Sequence, residues 1–388
     1  MLTTADILFF TKGHLISGDP KKKIFSVSTD TRTLKKGSLF VALKGKNFDG
    51  HKFIQTAIRK GAATLLVSEI FSVPETSIPV IQVRDTLKAY GDLARGYRDR
   101  FRAPVVAITG SVGKTTTKEL SATVLSTRFP ILKNYQTENN EIGVVKTLLN
   151  LHSKHKIAVL EFGTNHFGEI KRLASIGRPT VAVLTNIGES HLEFLKNRQG
   201  VLKEKTAILG ALTRKDFIIY NNDDDLLRTI GQGKALGRRM TFAIDHKASY
   251  QATNIVFKQQ SLCFDIGPQH FSLKTLSREN IYNALAAIAL GRLFGLSWKR
   301  ISWALSQAKF PKGRQNIFRV SGISMIDDTY NANPTSVAAA LATLSRFSTK
   351  GKRWFIFGDM RELGRISQKA HEQIGRMLAK NKVDALLT

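Results

Sequence analysis

Residues 105–125 constrain the fold of this chain more than any other stretch. Val105-Val106-Ala107-Ile108-Thr109 is an apolar run of strand length that breaks into Gly110-Ser111-Val112-Gly113-Lys114-Thr115-Thr116, and a helical pattern follows over Lys114–Leu125. A strand feeding a glycine-rich turn and a helix is the setting in which backbone N–H groups and a helix N-terminus hold phosphate oxygens. The loop has the short G-x-x-G-K-T form, because the longer G-x-x-x-x-G-K-[ST] would need glycine where Ile108 stands. Gly110 and Gly113 permit close backbone approach around Ser111 and Val112. Lys114 is placed to neutralise β- and γ-phosphate charge, and the hydroxyl of Thr115, with Thr116 behind it, to ligate Mg²⁺. The bland alternative is an ordinary strand–turn–helix junction.

The alternation continues downstream. Strand and helix patterns succeed each other at Ile157–Glu161 and Glu169–Ser175, then at Thr180–Thr185 and Gly200–Gly210, which argues a mostly parallel sheet with crossover helices. Phe217–Tyr220 is a further strand candidate, Met240–Ile266 reads as short β segments, and Ile281–Phe294 as a buried, alanine-rich helix. Before this region lies a small α/β unit, with strand signals at 37–43 and 63–67, a helix over Phe53–Lys60 and a basic amphipathic helix over Leu87–Phe101. After it, strands near Ser324–Asp327, Trp354–Phe357 and Val383–Leu386 alternate with helices at Thr335–Ser345 and Ser367–Lys380. Three domains are therefore expected, at 1–103, 104–312 and 313–388, which suits a chain of 388 residues.

Composition narrows the function classes. No apolar run approaches the roughly 18 residues of a membrane span, and the start Met1-Leu2-Thr3-Thr4-Ala5-Asp6 lacks the features of a secretory signal, so a cytoplasmic location is expected. The single cysteine, Cys263, excludes an intramolecular disulfide and a cysteine-built metal site, and is expected as a small core residue in a strand. Lys and Arg number 59 against 30 Asp and Glu, a net charge of +29 that would attract any polyanion. The basic residues are spread through the chain and do not interleave with aromatics, so nucleic acid is not the expected partner.

Two further residues join the loop in a parallel sheet. Glu161 closes one strand and His191 lies just beyond another, so both fall on the carboxyl rim that carries the loop and can meet around one metal. Alone, Glu161 is equally a solvated strand-end charge and His191 a hydrogen-bonded loop histidine. Lys205 alone reads as a surface lysine, since an ammonium cannot ligate a cation.

These pieces, in this order, resemble the Mur ligase family from about residue 25 onward. Ser28-Thr29-Asp30-Thr31-Arg32, Gly37–Gly45 and Phe48-Asp49-Gly50-His51-Lys52-Phe53 are similar to the family's UDP-binding segment. Asn139-Asn140-Glu141-Ile142-Gly143, Glu161-Phe162-Gly163-Thr164-Asn165 and Asn186–Glu193 match motifs after the phosphate loop. Asp327–Ser336 and Phe357–Gly364 are most similar to the family's D-alanyl-D-alanine-adding members.

The resemblance implies an α/β, three-domain Mur ligase architecture: a UDP-substrate domain, a central P-loop parallel-sheet ATPase domain and a Rossmann-like C-terminal domain. It implies an ATP- and Mg²⁺-dependent peptide ligase that joins D-alanyl-D-alanine to UDP-N-acetylmuramoyl-tripeptide through an acyl phosphate, working as a monomer. Thr115, Glu161 and His191 would bind Mg²⁺, with Lys205 as a carbamate. Lys114, His191, Lys205 and Arg314 would carry the chemistry. Asn280, Asn283, Arg314 and Asp328 would meet ATP. Thr29, Thr31, Arg32, Asp49 and His51 would meet the UDP substrate, and Asn331 and Asn333 the dipeptide. Three departures stand out: Glu279 replaces a usual His, Val145 replaces a common proline, and the C-terminal domain is expected to be incomplete at Thr388. Rival readings are another Mur ligase, a folylpolyglutamate synthase, or an inactive nucleotide-binding remnant.

Overall fold

In the computed structural model, which describes residues 2–45, 48–69, 75–233, 237–258, 261–381 and 383–388, the strand Val105–Thr109 lies inside a seven-stranded sheet with all five residues buried. The strand order is Tyr250–Gln251, Arg238–Ala243, Phe217–Asn221, Val181–Leu184, Val105–Thr109, Ile157–Glu161 and Ile131–Lys133, and every pair is parallel. Strands buried on both faces need continuous apolar runs, and 105–108 and 157–160 supply them. Helices Lys114–Ser126, Glu279–Leu293 and Trp298–Ser306 pack into the same core, each fully buried Leu, Ile or Val contributing about 1.5–3 kcal/mol.

The chain visits 157–161 on one side of the loop-bearing strand and 181–184 on the other, so the order of connections reverses there. Ligand crevices of open parallel sheets form at the carboxyl ends of strands at such a reversal. This one coincides with the phosphate loop.

The chain forms two compact units, one comprising 1–102, 138–153 and 175–178, the other 103–137, 154–174 and 179–388. In the first, the sheet order is His14–Ser17, Val80–Val83, Thr64–Ser68, Ser38–Val41 and Ser26–Ser28, parallel except at the His14–Ser17 edge. The helix Glu141–Leu148, which carries much of the Asn-Asn-Glu-Ile-Gly motif, packs in this unit beside the helix Thr86–Arg98, and the Tyr97 hydroxyl donates to the Leu151 carbonyl at 2.9 Å.

The second unit continues past the parallel sheet into an antiparallel three-stranded sheet of Thr253–Phe257, Leu262–Ile266 and Gln269–Leu273. Cys263 sits there, buried and unbridged. Gln259 and Gln260, within the stretch expected to hold short strands, lie outside the described residues. Residues 313–388 form a hairpin of Asn316–Val320 with Ile323–Asp327, helices Pro334–Arg346 and Ser367–Lys380, and a parallel pair of Trp354–Ile356 with Ala385–Leu387. Among the described residues no helix is long and apolar enough to cross a membrane.

Candidate active site

The loop is shaped by what cannot be present in it. Gly110 has φ 152° and a Cβ there would meet the Thr185 Oγ1 at 1.9 Å, while Gly113, at φ 85°, would place one 2.4 Å from the Asn283 Oδ1. Only glycine fits either position without rearrangement. The segment after Val181–Leu184 then ties the loop down. Val112 donates its N–H to the Asn186 Oδ1 at 2.9 Å, and the Thr185 hydroxyl and the Asn186 amide donate to the Val112 carbonyl at 2.6 and 3.1 Å. Ser111 is buried; its hydroxyl accepts from the Gly188 N–H at 2.9 Å and from the Ser190 hydroxyl at 3.0 Å. Lys114 is half-buried, and its ammonium donates to the Gly110 and Ser111 carbonyls at 2.9 and 3.1 Å. Thr115 and Thr116 are buried in the first turn of the helix.

Asn280 and Asn283 are buried near the start of the helix Glu279–Leu293. The Thr117 hydroxyl donates to the Asn283 Oδ1 at 3.0 Å, the Asn283 amide to the Asn280 Oδ1 at 2.9 Å, and the Asn280 amide to the Thr275 hydroxyl at 2.9 Å. This chain of bonds fastens the second helix to the phosphate-loop helix. Glu279, where the family usually has histidine, opens that helix with an exposed side chain.

Glu161 is 1% exposed, which rules out a solvated strand-end charge. Its strand pairs with the loop-bearing strand in the register Glu161↔Ile108. Asn134 holds its backbone, accepting the Glu161 N–H at 2.9 Å and donating to the Glu161 carbonyl at 3.1 Å. Lys118, with no exposed surface, donates to the Asn134 carbonyl at 3.0 Å and to the Gln136 carbonyl, and its ammonium lies 4.0 Å from the Glu161 Oε2.

Lys205 is 1% exposed, so the surface-lysine reading fails. Burial, and next the positive charge of Lys114, push its pKa well below the ordinary lysine range, with Glu204 and Glu161 opposing. Burial likewise lowers Lys114; Glu161 raises it and Arg314 lowers it further. His191 is lowered by burial, then by Lys205 and Lys114, against the pull of Glu362. Glu161 thus acts electrostatically on basic groups from three separate segments, Lys114, Lys205 and Arg314.

His191 stands in the left-handed region, at φ 55°, at the N-terminus of the short helix Leu192–Leu195. For a residue with a side chain that costs about 1–3 kcal/mol. Its Nδ1 lies 2.5 Å from the Glu362 Oε2. The loop leading to it is anchored by Asp224, which accepts the Ile187 N–H at 2.7 Å, and by Arg198, whose guanidinium donates to the Ile187 carbonyl at 3.2 and 3.1 Å.

The Arg314 guanidinium lies over the Tyr330 ring, 3.8 Å from its centroid, within the range of a cation–π contact. Burial raises the Asp328 carboxyl to about 6, with Gln315 and Arg314 pulling the other way. Asn333 caps the helix Pro334–Arg346, accepting the Ser336 N–H at 2.9 Å in a reciprocal capping box. Asn331 is exposed and its side chain accepts the Ala332 N–H at 3.0 Å.

In the first unit, Thr31 is buried, Thr29 half-buried, and Arg32 exposed in an ion pair with Asp30 at 2.7 Å. Asp49 accepts the His51 backbone N–H at 3.0 Å and lies 2.6 Å from the His51 Nδ1, while the His51 Nε2 accepts the Ser68 N–H at 3.0 Å. Both ring nitrogens are thus spent on the protein, and His51 clamps its turn to the end of the strand Thr64–Ser68.

The structure therefore gathers Lys114, Glu161, His191, Lys205 and Arg314 around the loop, while Asn280, Asn283, Asn333 and His51 brace their surroundings. Sequence reasoning missed Lys118, Asn134, Asn186 as a loop brace, and Glu362. Asn186 and Glu362 lie within the motifs quoted above, but Asn134 carries no local signal at all.

The donors suit Mg²⁺. A carboxylate, a threonine hydroxyl and an imidazole are acceptable ligands, and Mg²⁺ ordinarily takes one or two carboxylates with substrate phosphates rather than an all-protein cage. Among the described residues no group of three or more His, Cys, Asp or Glu gathers as such a cage. Lys205 as an ammonium does not fit a cation site, whereas a neutral buried amine is the form that reacts with CO₂.

Comparison with known proteins agrees along the whole chain. Residues 23–98 match the Mur ligase family catalytic domain, 108–291 the Mur ligase middle domain, and 313–388 the Mur ligase glutamate ligase domain. The UDP-N-acetylmuramoyl-tripeptide--D-alanyl-D-alanine ligase of Bacillus subtilis (strain 168) is 35% identical over 390 residues, covering 100% of this chain and 84% of its own. A crystal structure of MurF from Acinetobacter baumannii superposes with a TM-score of 0.93 at 33% identity, covering 99% of this chain and 84% of that one. MurF ligase from Thermotoga maritima, solved in complex with ADP, gives a TM-score of 0.84 at 28% identity over 94% of this chain and 88% of that one. On these similarities, and on the loop and its surrounding charges, the chain belongs to the Mur ligase family.

Proposed function

We propose that this chain is an ATP-dependent ligase that joins D-alanyl-D-alanine to UDP-N-acetylmuramoyl-tripeptide for peptidoglycan synthesis in the cytoplasm. The observation that carries the reading is the placement of one buried carboxylate, Glu161, in the field of Lys114 and Arg314 beside the phosphate loop. Cations so placed favour a reaction in which negative charge moves between phosphoryl oxygens. Residues 1–103 would hold the UDP substrate through the turns containing Thr29, Thr31, Arg32 and Asp49, with His51 bracing them. Residues 104–312 would bind ATP, and 313–388 would bring Arg314, Asp328, Asn331 and Asn333 to the nucleotide and the dipeptide.

The tripeptide carboxylate attacks the γ-phosphorus of ATP; the bond to the bridging oxygen breaks and ADP leaves. Lys114 and Arg314 stabilise the charge on the transferring group. The dipeptide amine then attacks the acyl carbon, loses a proton, and the tetrahedral intermediate expels inorganic phosphate. Thr115, Glu161 and His191 would hold Mg²⁺, which when bound offsets phosphate charge. Lys205 would contribute as a carbamate, a form its depressed pKa makes accessible. Release of phosphate is measured with each substrate omitted in turn. The proposal requires product and phosphate in equal amounts only when ATP, UDP-linked tripeptide and D-alanyl-D-alanine are all present; phosphate release unaffected by omitting the dipeptide contradicts it.

A further inference from the structure

We infer that Glu362 is a positioning residue that fixes the ring of His191 from the C-terminal region, so that the orientation of one proposed metal ligand depends on the docking of residues 313–388. The inference rests on the reading of His191 given above. Two hydrogen bonds and one close approach join the two loops. The Glu362 Oε2 lies 2.5 Å from the His191 Nδ1, the Glu193 N–H donates to the Glu362 carbonyl at 3.2 Å, and a Cβ on Gly364 would lie 3.1 Å from the Glu193 Cα.

Both partners take left-handed backbone conformations, His191 at φ 55° and Glu362 at φ 61°, although neither is glycine. Such conformations are uncommon in side-chain-bearing residues and persist where the surroundings over-determine them. Here two of them face each other across a single hydrogen bond. A carboxylate that accepts from one ring nitrogen of a histidine sets the tautomer and leaves the other nitrogen to a metal, the usual outer partner of a metal-bound imidazole. With Nδ1 taken by Glu362, Nε2 is the nitrogen left for Mg²⁺. The carboxylate comes from the third matched segment and the histidine from the second, so loss of the contact releases the ring.

The test uses the full chain with Glu362→Ala and Glu362→Gln, titrating Mn²⁺ by electron paramagnetic resonance in the presence of a non-hydrolysable ATP analogue. Glu362→Ala should weaken Mn²⁺ binding by about 10- to 100-fold. Glu362→Gln, whose amide oxygen still accepts from Nδ1, should recover most of the loss. In turnover, the Mg²⁺ concentration for half-maximal rate should rise further in Glu362→Ala than kcat falls at saturating Mg²⁺. A Glu362→Ala titration that superimposes on the wild type overturns the inference, as does a Glu362→Gln variant no better than Glu362→Ala. Wild-type protein that binds the nucleotide analogue but no Mn²⁺ would instead overturn the metal-ligand reading of His191, and this inference with it.

Discussion

The strands Ile157–Glu161 and Trp354–Ile356 are both short, apolar and parallel to their neighbours, yet their fates differ. Every residue of the first is buried, with a partner on each side and the helix Lys114–Ser126 packed against it. The second has one partner, and Trp354 is 57% and Ile356 73% exposed. Local sequence does not distinguish them; the number of layers around each strand does. The phosphate loop hangs from the strand next to the first, so its geometry is backed by the best-packed part of the chain. Residues that reach it from 313–388, such as Arg314 stacked on Tyr330 and Glu362 against His191, come from the thinner region.

That contrast can be broken by substitution. Leu160→Ala opens a cavity beside the loop-bearing strand and should cost about 2–5 kcal/mol, read from urea denaturation midpoints; a cost below about 1 kcal/mol would mean the central sheet is not the rigid support described. Gly110→Ala should follow at about 3 kcal/mol, read as a roughly 100-fold loss of nucleotide affinity by calorimetry, because its Cβ would sit 1.9 Å from the Thr185 Oγ1.

Asp328→Asn sharpens the comparison, because it tests a buried charge within the thinner region. The folded-state pKa of Asp328 is raised to about 6 from 3.8, so its contribution to stability is fully present below pH 3.8 and lost as pH rises through about 6. The wild type should therefore lose about 2 kcal/mol relative to Asp328→Asn between pH of about 4 and 7, measured by denaturation of both proteins at each pH. Smallest of all, Leu387→Ala removes a side chain that is 47% exposed and should change stability by less than about 0.5 kcal/mol.

Much of this was legible in the residues. The strand–loop–helix at 105–126, the parallel alternation after it and the burial of Cys263 follow from apolar runs and glycine placement, which act locally. The strand Ile131–Lys133, the helix Thr4–Thr11 and the hairpin strand Asn316–Val320 did not announce themselves; the first is three residues long, the second packs on the distant helix Thr86–Arg98, and the third is half polar and largely exposed. At the site, Lys114, Glu161, His191 and Lys205 were named from motif position. Their mutual electrostatics were not, because burial of Lys205 depends on tertiary packing around the helix Arg198–Thr206. Asn134 shows the limit most clearly: its two bonds to the Glu161 backbone span 27 residues, and nothing nearby hints at them.

The central claim is that Lys114 and its loop hold ATP so that a carboxylate can be phosphorylated and coupled to an amine. Lys114→Ala is compared with the wild type for ATP affinity and for formation of the ligated peptide at saturating substrates. A loss of about 10²–10³-fold in turnover with weakened ATP binding is the expected result; wild-type affinity together with wild-type product formation would contradict the account.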